Sequence, residues 1–324
     1  MLNLNSLRHT TNKILVLGNH EPLIQSILDF DYLSGKQEGS VIGIVTGRAG
    51  FAKYFFGRGE VLIQTFAIIS DAVAQWHSDT ANYWFLNLLS GRRTLSSTQE
   101  LLKAQTSKLE APFVGGALFA EGVPELHSLS IRGTVSPWHC VIGPASVGLL
   151  IPLVLKLGPI GGITPTQIEE SQLIKPGHLA VFSASGGMTN ELINVAIAAG
   201  HHLSFALSFG GDRFPTLSPR DAFSLAEADP ETSAILYYGE LGGEDEYDLI
   251  DLIKQGKLTK PVIAHIAGTV ASLFPESPQF GHAKAKADNA RVTAIAKREA
   301  LAAVGVQVSS SFADFVDLVN KLKY

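Results

Sequence analysis

The amino-acid sequence predicts an α/β protein built on two parallel β-sheets that are covered by helices on both faces. Short apolar runs, typical of buried strands, alternate along the chain with longer segments whose apolar residues recur at helical spacing. The length of 324 residues predicts about two domains, each large enough to bury its own core. Apolar residues make up 46% of the chain, which excludes disorder as its main state.

In the first half, six apolar runs predict strands, at residues 13–18, 40–47, 61–66, 82–89, 113–119 and 139–143. Residues 67–77 between them have apolar spacing near that of a helix. A second helix is predicted to begin at Ser97, because Glu100 three residues later completes the pattern of a capping box.

The second half repeats this alternation. Four further strands are predicted at residues 178–183, 203–208, 234–239 and 261–268, with helices at 188–199, 245–255, 285–304 and 311–323. Ser311 is the expected N-cap of the last helix. Residues 156–177 are rich in glycine and proline and predict a domain boundary, which divides the chain into residues 1–165 and 166–324.

Composition excludes several classes of protein. The chain has 25 Lys and Arg against 30 Asp and Glu, so a net charge of −5 argues against nucleic-acid binding. Charged residues are 17% of the chain, below the roughly 25% that is usual, which suggests surface covered by a partner subunit. The single Cys140 excludes an internal disulfide framework and fits a reducing compartment. The most apolar stretch is interrupted by Pro152, Lys156 and Pro159, and the first residues lack a signal-peptide core, so we expect a cytoplasmic protein with no membrane segment.

Candidate ligand-binding residues follow the predicted strands of the second half. Ligands of open parallel sheets bind beyond the carboxyl ends of the strands. One strand runs into Ser185, Gly186 and Gly187 at the start of a helix, where free N–H groups favour an anion, although the same residues fit a plain tight turn. The next strand runs into residues 209–213. Another runs into Glu240 and two glycines, which fits either a ligand-facing carboxylate or a solvated loop acid.

His282 stands out among the ten histidines by its setting. It lies in a long loop that leaves the same predicted sheet edge, and long loops in compact domains are commonly functional, although most single histidines have no catalytic role. Together with Glu240 it predicts an imidazole nucleophile whose tautomer a carboxylate holds. The chain has no nucleotide P-loop motif, no HExxH motif and no Cys/His ligand cluster, so we expect no metal site and a phosphoryl donor on another chain.

The motifs around these residues resemble the central region of ATP-citrate lyases, which is similar to the alpha subunit of succinyl-CoA synthetase. The resemblance covers nearly the whole chain in order, through LDFDYLS, FAEGVPE, VIGPASVG, FSASGGMTNE, GGDRFP, YYGELGGEDEY, GKLTKP and QFGHAKA. It implies a Rossmann-like CoA-binding domain over residues 1–165, followed by a flavodoxin-like ligase domain with a phosphohistidine loop over residues 166–324. The SGGM-x-NE and GGDRFP motifs favour the citrate branch of acid–CoA ligases over the succinate branch.

The resemblance also implies roles for individual residues. His282 is implied to be transiently phosphorylated, and Glu240 to contact it. Ser185, Gly186 and Gly187 are implied to bind phosphate and substrate. The implied CoA contacts are Gly18, Asn19, Glu121, Pro144, Ala145 and Ser146. The basic residues available for the CoA phosphates are Lys53, Arg58, Arg92 and Arg93, although a solvated surface role is favoured for them.

The implied function is that of a subunit of an ATP-dependent acid–CoA ligase that forms citryl-CoA from citrate, CoA and ATP. ATP and Mg²⁺ are expected on an ATP-grasp partner similar to the beta subunit of succinyl-CoA synthetase, and cleavage of citryl-CoA on a further domain, because the chain resembles neither region. The alternatives are an alpha-type subunit of a succinyl-CoA or malyl-CoA synthetase, and a non-catalytic CoA-binding paralogue. Ala184, where both relatives carry arginine, favours the paralogue, whereas the intact His282 and Glu240 argue against it. Lys284 replaces a glycine of the family motif.

Overall fold

A computed structural model describes residues 2–75, 80–108, 113–135 and 139–323. The last residues of the predicted helix at 67–77 lie outside these ranges. Within them the α/β fold class is confirmed, since the chain forms two seven-stranded sheets in which parallel pairing dominates. No helix in the described ranges is long and apolar enough to cross a membrane.

The first sheet has the strand order β3-β4-β2-β1-β5-β6-β7 and is parallel except for the β3–β4 hairpin at its edge. Its strands are β1 (Thr11–Leu17), β2 (Val41–Val45), β3 (Gly50–Phe56), β4 (Gly59–Phe66), β5 (Ala81–Asn87), β6 (Phe113–Leu118) and β7 (Cys140–Ile142). Its helices are α1 (Leu4–Arg8), α2 (Glu21–Leu33), α3 (Ile69–Val73), α4 (Gly91–Lys108) and α5 (Glu125–Thr134).

The second sheet has the order β14-β13-β12-β10-β11-β8-β9, with β8 antiparallel to both of its neighbours. Its strands are β8 (Leu149–Ile151), β9 (Leu155–Leu157), β10 (Pro176–Ser183), β11 (Leu203–Ser208), β12 (Ala234–Glu240), β13 (Val262–Ala267) and β14 (Gln307–Val308). The helices are α6 (Pro165–Glu170), α7 (Gly186–Ala198), α8 (Pro219–Ala228), α9 (Asp245–Lys254), α10 (Ala294–Ala302) and α11 (Phe312–Lys321), with 3₁₀ turns at Thr269–Leu273 and Ala290–Val292.

Every predicted strand is present, but two helix predictions need correction. α4 begins at Gly91, so Ser97 is not an N-cap; its hydroxyl donates to the Arg93 carbonyl 2.8 Å away, inside the helix. A serine with a glutamate three residues later also occurs within helices, where the side chain bonds the preceding turn. The helix predicted at 285–304 begins only at Ala294, because the residues before it belong to the loop that carries His282. Ser311 is the N-cap of α11, as predicted.

The chain passes from the first sheet to the second between Ile142 and Leu149, before the predicted division at residue 165. β8 and β9 form a short apolar hairpin that pairs with β11 at the edge of the second sheet. The sequence analysis predicted neither of these strands, since each has three residues and its pairing depends on a distant partner in the chain. The glycine- and proline-rich residues therefore lie within the region of the second sheet, around α6.

The two sheets pack against each other and share part of their apolar core. One apolar cluster contains Ile14 and Trp84 of the first sheet as well as Phe182 and Tyr237 of the second. Beyond the strand ends, the residues after β6, β7 and β11 are joined by hydrogen bonds, which the next section describes. The carboxyl edges of both sheets therefore meet at one junction.

Candidate active site

His282 and Glu240 form a hydrogen-bonded pair at this junction. Glu240 is the last residue of β12, and both of its carboxylate oxygens lie 2.9 Å from Nδ1 of His282. Since a carboxylate only accepts, Nδ1 carries the proton and Nε2 of the neutral ring is free to act as a nucleophile. The hydrogen bond that His282 donates to Glu240 raises the pKa of His282, whereas burial and the nearby Lys284 lower it.

The second edge of the imidazole faces the turn that follows β11. A Cβ atom on Gly211 would lie 2.5 Å from Cδ2 and 3.0 Å from Nε2 of His282, so no larger residue fits there without moving the ring. Gly210, at φ +104°, is pressed against the Pro144 carbonyl in the same way. The Cδ2–Nε2 edge of the ring therefore lies against a glycine of this turn.

The loop that carries His282 packs closely on the two glycines after Glu240. The loop closes on itself, since Phe280 N–H donates to the Ala285 carbonyl at 2.9 Å and Ala285 N–H donates to the His282 carbonyl at 3.0 Å. Gly242 has a positive φ of 79°, and a Cβ atom there would overlap the Lys284 carbonyl. Glycine at this position is what lets the loop reach Glu240.

Lys284 is buried, and its ammonium pairs with Asp245 in the first turn of α9. Burial lowers its pKa, but the carboxylates of Asp245, Glu240 and Glu246 outweigh burial and raise the pKa above its usual value. The residue that replaces a glycine of the family motif thus adds a fixed positive charge behind the His282–Glu240 pair.

The residues predicted to bind an anion lie at the start of α7, directly after β10, the strand that neighbours β12. Ser185 is the N-cap, and its hydroxyl accepts from Met188 N–H at 3.3 Å. A Cβ atom on Gly186 would lie 2.5 Å from Cγ1 of Val147, whereas Gly187 has open space beside it. Ala184 is buried beside them at 6% exposure. At this helix start there is therefore space beside Gly187 but not beside Gly186.

Residues 144–146 connect the two sheets at the junction. Ala145 N–H donates to the Ala120 carbonyl at 2.9 Å, and Gly211 N–H donates to the Ala145 carbonyl at 3.3 Å. Ser146 donates its hydroxyl to the Ser208 carbonyl at 2.7 Å and accepts from Gly148 N–H at 2.9 Å. The Ser146 hydroxyl is thus used in holding the turn.

The structure adds Asp212 to the residues around His282, a position that the sequence analysis passed over within residues 209–213. One of its carboxylate oxygens is buried without a hydrogen-bond partner among the described residues. Burial raises the pKa of Asp212, and so do the neighbouring Glu121 and Glu125, whereas His282 lowers it. Glu121 also contributes to the raised pKa of His282, so this first-domain carboxylate belongs to the same electrostatic environment. In the sequence, a role for Asp212 was indicated by its position alone, in a turn that follows a predicted strand.

Gly18 and Asn19 lie at the carboxyl end of β1, on the same edge of the first sheet. Gly18 has a φ of +91° and donates to the Val45 carbonyl at 2.8 Å, while Asn19 accepts from the Tyr54 hydroxyl at 3.0 Å. Arg48, exposed after β2 on this edge, was missed, although it follows a predicted strand.

The four basic residues considered for the CoA phosphates lie in two different places, two on α4 and two on the β3–β4 hairpin. Arg92 and Arg93 are in the first turn of α4, on the carboxyl edge. Lys53 pairs with Glu60 at 2.7 Å, and Arg58 lies in the β3–β4 turn at the opposite edge. In the described part of the chain, no group of three or more His, Cys, Asp or Glu side chains is placed to hold a metal ion.

The part of the chain that carries the site is similar to CoA-ligases. Residues 182–307 match the protein-family model described as CoA-ligase, and this segment includes Ser185, Glu240 and His282. The resemblance inferred from the motifs is therefore confirmed.

More particularly, the chain is similar to ATP-citrate synthases. It is 38% identical over 291 residues to ATP-citrate synthase beta chain protein 1 of Arabidopsis thaliana, which covers 89% of this chain and 46% of that protein. It is 35% identical over 319 residues to the ATP-citrate synthase of Homo sapiens, covering 97% of this chain and 28% of that protein.

The structure of the chain is also similar to solved structures of CoA-dependent enzymes. The ATP citrate lyase of Methanothrix soehngenii, in complex with citrate and coenzyme A, superposes with a TM-score of 0.89 at 35% identity, covering 96% of this chain and 49% of that one. A dinucleotide-forming acetyl-coenzyme A synthetase of Ca. Korarchaeum cryptofilum, at 18% identity and a TM-score of 0.66, shares the fold. The chain spans less than half the length of each ATP-citrate synthase or lyase it was compared with above.

Proposed function

We propose that this chain is the phosphohistidine-bearing and CoA-binding part of an ATP-dependent acid–CoA ligase that forms citryl-CoA from citrate, CoA and ATP. The main supporting observation is the His282–Glu240 pair, with the free Nε2 at the junction of two parallel sheets. The similarity to an ATP citrate lyase whose structure holds citrate and coenzyme A supports the choice of substrates.

In the first step, Nε2 of His282 attacks the γ-phosphorus of ATP that a partner of the ATP-grasp type holds with Mg²⁺. A nitrogen–phosphorus bond forms as the bond to the ADP oxygen breaks. The ring becomes positively charged, and the carboxylate of Glu240 stabilises that charge through the hydrogen bond to Nδ1. The partner is part of the proposal because the sequence contains no P-loop motif.

In the second step, a carboxylate oxygen of citrate attacks the phosphorus, the bond to Nε2 breaks and citryl phosphate forms. The N-cap Ser185 and the open helix start at Gly187 favour the negative charge of the phosphoryl group. In the third step, the CoA thiolate attacks the acyl carbon and phosphate leaves. Three smaller barriers replace one large barrier along this route.

CoA is proposed to lie along the carboxyl edge of the first sheet. Gly18 and Asn19 approach it from β1, and Glu121 with the backbone of Pro144 and Ala145 surrounds the thiol end. Ser146 is proposed to order that turn, since its hydroxyl is already bonded on both sides.

The phosphates of CoA are assigned to the basic residues of the same edge. These are Arg48, Arg92 and Arg93. Lys53 and Arg58 are excluded from this role because one is ion-paired and the other lies at the opposite edge. We place the protein in the cytoplasm, which fits the free thiol of Cys140.

The rival proposals are a ligase for succinate or malate and a CoA-binding paralogue without activity. The paralogue is favoured by Ala184, which is buried where the family motif has a cation. The geometry of His282 and Glu240 and the buried cation of Lys284 argue for activity.

Phosphoryl transfer tests the proposal directly. The chain is mixed with an ATP-grasp protein similar to the beta subunit of succinyl-CoA synthetase and with ATP labelled at the γ-phosphate. Acid-labile label is expected on the wild type and not on His282→Ala. Citrate plus CoA should discharge it, whereas succinate plus CoA and malate plus CoA should not. An unlabelled wild type, or equal labelling of His282→Ala, would contradict the phosphohistidine role.

A further inference from the structure

Lys284 lies two residues after His282, in the turn that positions the imidazole. Ala285 N–H donates to the His282 carbonyl at 3.0 Å and Lys286 N–H donates to the Lys284 carbonyl at 2.9 Å, so the chain folds back on itself here. The His282 side chain remains 30% exposed, whereas the Lys284 side chain is only 5% exposed. Lysine is almost never buried unless it is paired. The turn therefore presents the imidazole to the site and places a cation inside the protein.

Each of the two buried lysines near Glu240 has a carboxylate of its own. The two pairs are Lys284 with Asp245 and Lys297 with Glu246. Both carboxylate oxygens of Glu240 face Nδ1 of His282 at 2.9 Å. The Lys284 ammonium is thus fixed in place by a carboxylate other than the one that holds the imidazole.

His282 lies among charges of both signs. The hydrogen bond to Glu240 raises the pKa of His282, burial and Lys284 lower it, and Glu121 of the first domain raises it. Asp212, in the turn after β11, has a pKa that burial raises and His282 lowers. Lys284 is the cation among these groups, and it opposes the positive charge on the ring that the carboxylates favour.

We propose that Lys284 is a positioning residue that acts through His282 and makes the phosphohistidine easier to discharge. The inference rests on the proposed function, in which the ring becomes positively charged when Nε2 bonds to phosphorus. When a citrate oxygen attacks the phosphorus, the bond to Nε2 breaks, its electron pair returns to the ring and the positive charge disappears. Glu240 stabilises the charged ring and so holds the phosphoryl group on His282, and the fixed cation of Lys284 offsets part of that stabilisation.

A pair of lysine substitutions tests this role. Lys284→Met removes the charge and keeps most of the side-chain volume, and Lys286→Met, the same change at an exposed lysine of the same turn, is the matched control. Each variant is labelled from ATP by an ATP-grasp protein similar to the beta subunit of succinyl-CoA synthetase, and is then discharged with citrate plus CoA. We expect Lys284→Met to be labelled at least as fast as the wild type at high pH and to lose the label about threefold or more slowly. Lys286→Met should follow the wild type in both steps.

A purely structural role for Lys284 predicts a different result. If the residue only anchored the loop, its loss would misplace the ring, and labelling and discharge would both become slower. That outcome, or a wild-type rate of discharge, would overturn the proposal. Lys284→Gln, whose amide can still hydrogen-bond to Asp245, is a second variant with the same expectation should Lys284→Met fold poorly.

An NMR titration of His282 provides a measurement that needs neither nucleotide nor partner. With His282→Ala to assign the resonance, the midpoint of the imidazole should lie at higher pH in Lys284→Met than in the wild type, because a cation that lowers the pKa of His282 is gone. Lys286→Met should keep the wild-type midpoint. An unchanged midpoint in Lys284→Met would contradict the inference. A raised midpoint in a chain whose wild type takes no label would contradict the proposed function and leave the effect of Lys284 on His282 standing.

Discussion

At the scale of single residues, the chemistry proposed for His282 depends on what lies at each edge of its ring. Glu240 holds Nδ1 at 2.9 Å and leaves Nε2 as the free nitrogen. Gly211 lets Nε2 approach the backbone of the turn after β11. One neighbour acts through charge and the other through the absence of a side chain, and each can be tested separately.

Glu240→Gln should change the pH dependence of phosphorylation. Only the neutral ring attacks phosphorus, so the wild-type labelling rate should fall on acidification through a midpoint above 6.5, the usual pKa of histidine, because Glu240 raises that pKa. Removing the charge should move the midpoint to lower pH and also lower the rate at high pH, where the ring develops its positive charge unaided. Rates of labelling measured from pH 5 to 9 check this.

The matched control is Glu244→Gln, at an exposed carboxylate four residues further along the chain. It should keep the wild-type midpoint. A midpoint for Glu240→Gln equal to or above that of the wild type would contradict the role assigned to the hydrogen bond.

Gly211→Ala should slow phosphorylation without unfolding the protein. The added methyl group would lie 2.5 Å from Cδ2 of His282, so the ring must move, and a displacement of that kind costs about 100-fold in rate. Gly133→Ala is the control, since a Cβ atom on Gly133, in α5, meets nothing within 4 Å. Labelling rates and thermal unfolding are measured on both variants; a wild-type rate for Gly211→Ala would show that the ring is not confined by this turn.

At the scale of elements, the position of Glu240 depends on α9 and α10. Lys297 of α10 is buried; its ammonium donates to the Glu240 carbonyl at 2.7 Å and to the Gly242 carbonyl. It also pairs with the buried carboxylate of Glu246 in α9 at 2.5 Å, which in turn accepts from the Tyr237 hydroxyl at 3.1 Å. A single cation therefore fixes the end of β12 to two helices.

Lys297→Met should destabilise the protein by about 3–5 kcal/mol, because it leaves the buried Glu246 carboxylate without its counter-charge. The double variant with Glu246→Leu should recover part of this loss, since no unpaired charge remains. Lys254→Met, the same change at an exposed lysine in the last turn of α9, should stay within about 0.5 kcal/mol of the wild type. Urea unfolding followed by circular dichroism gives these free energies, and equal losses for the two lysines would refute the assignment.

At the scale of the whole molecule, the two halves of the chain are also held together away from the junction where the carboxyl edges of the sheets meet. Arg8, in the first helix, makes two contacts with the carboxylate of Asp229 after α8, at 2.5 and 2.9 Å, and also donates to the Ser204 carbonyl at 3.3 Å. The Asp229 side chain is fully buried. The packing of one half on the other therefore includes a buried ion pair as well as the shared apolar cluster.

Arg8→Met should lower the stability of the whole chain by about 3–5 kcal/mol at neutral pH, since the Asp229 carboxylate loses its partner. Burial raises the pKa of Asp229, but the hydrogen bonds from Arg8 and Thr232 outweigh burial and hold it below its usual 3.8. A carboxylate with a depressed pKa contributes stability above its unfolded value and loses it as the pH falls through the folded value. The wild type should therefore lose this contribution below about pH 4.

In Arg8→Met the same acid range should show a smaller loss. Thermal unfolding between pH 2 and 7 checks both effects, with Arg132→Met, at an exposed arginine of α5, as the control. An acid dependence of Arg8→Met that matches the wild type would show that the pair does not control it.

The sequence alone was sufficient for the fold class and for ten of the fourteen strands in the described residues, because a strand buried on both faces leaves a local apolar signature. It did not show β8, β9 or β14, which have two or three residues, or β3, a largely exposed edge strand that lacks such a run. Whether a short segment becomes a strand is decided by the neighbour with which it pairs, and that neighbour is distant in the chain.

The sequence likewise placed Ser185, Glu240 and His282 beyond strand ends of one sheet, since parallel strands end at a common edge. Only the tertiary structure decided which ring nitrogen is free, that Gly211 lies against it, that the Ser146 hydroxyl is occupied and that Lys284 pairs with Asp245. These properties depend on distances between segments far apart in sequence, and a distance of that kind is set by packing of the whole molecule.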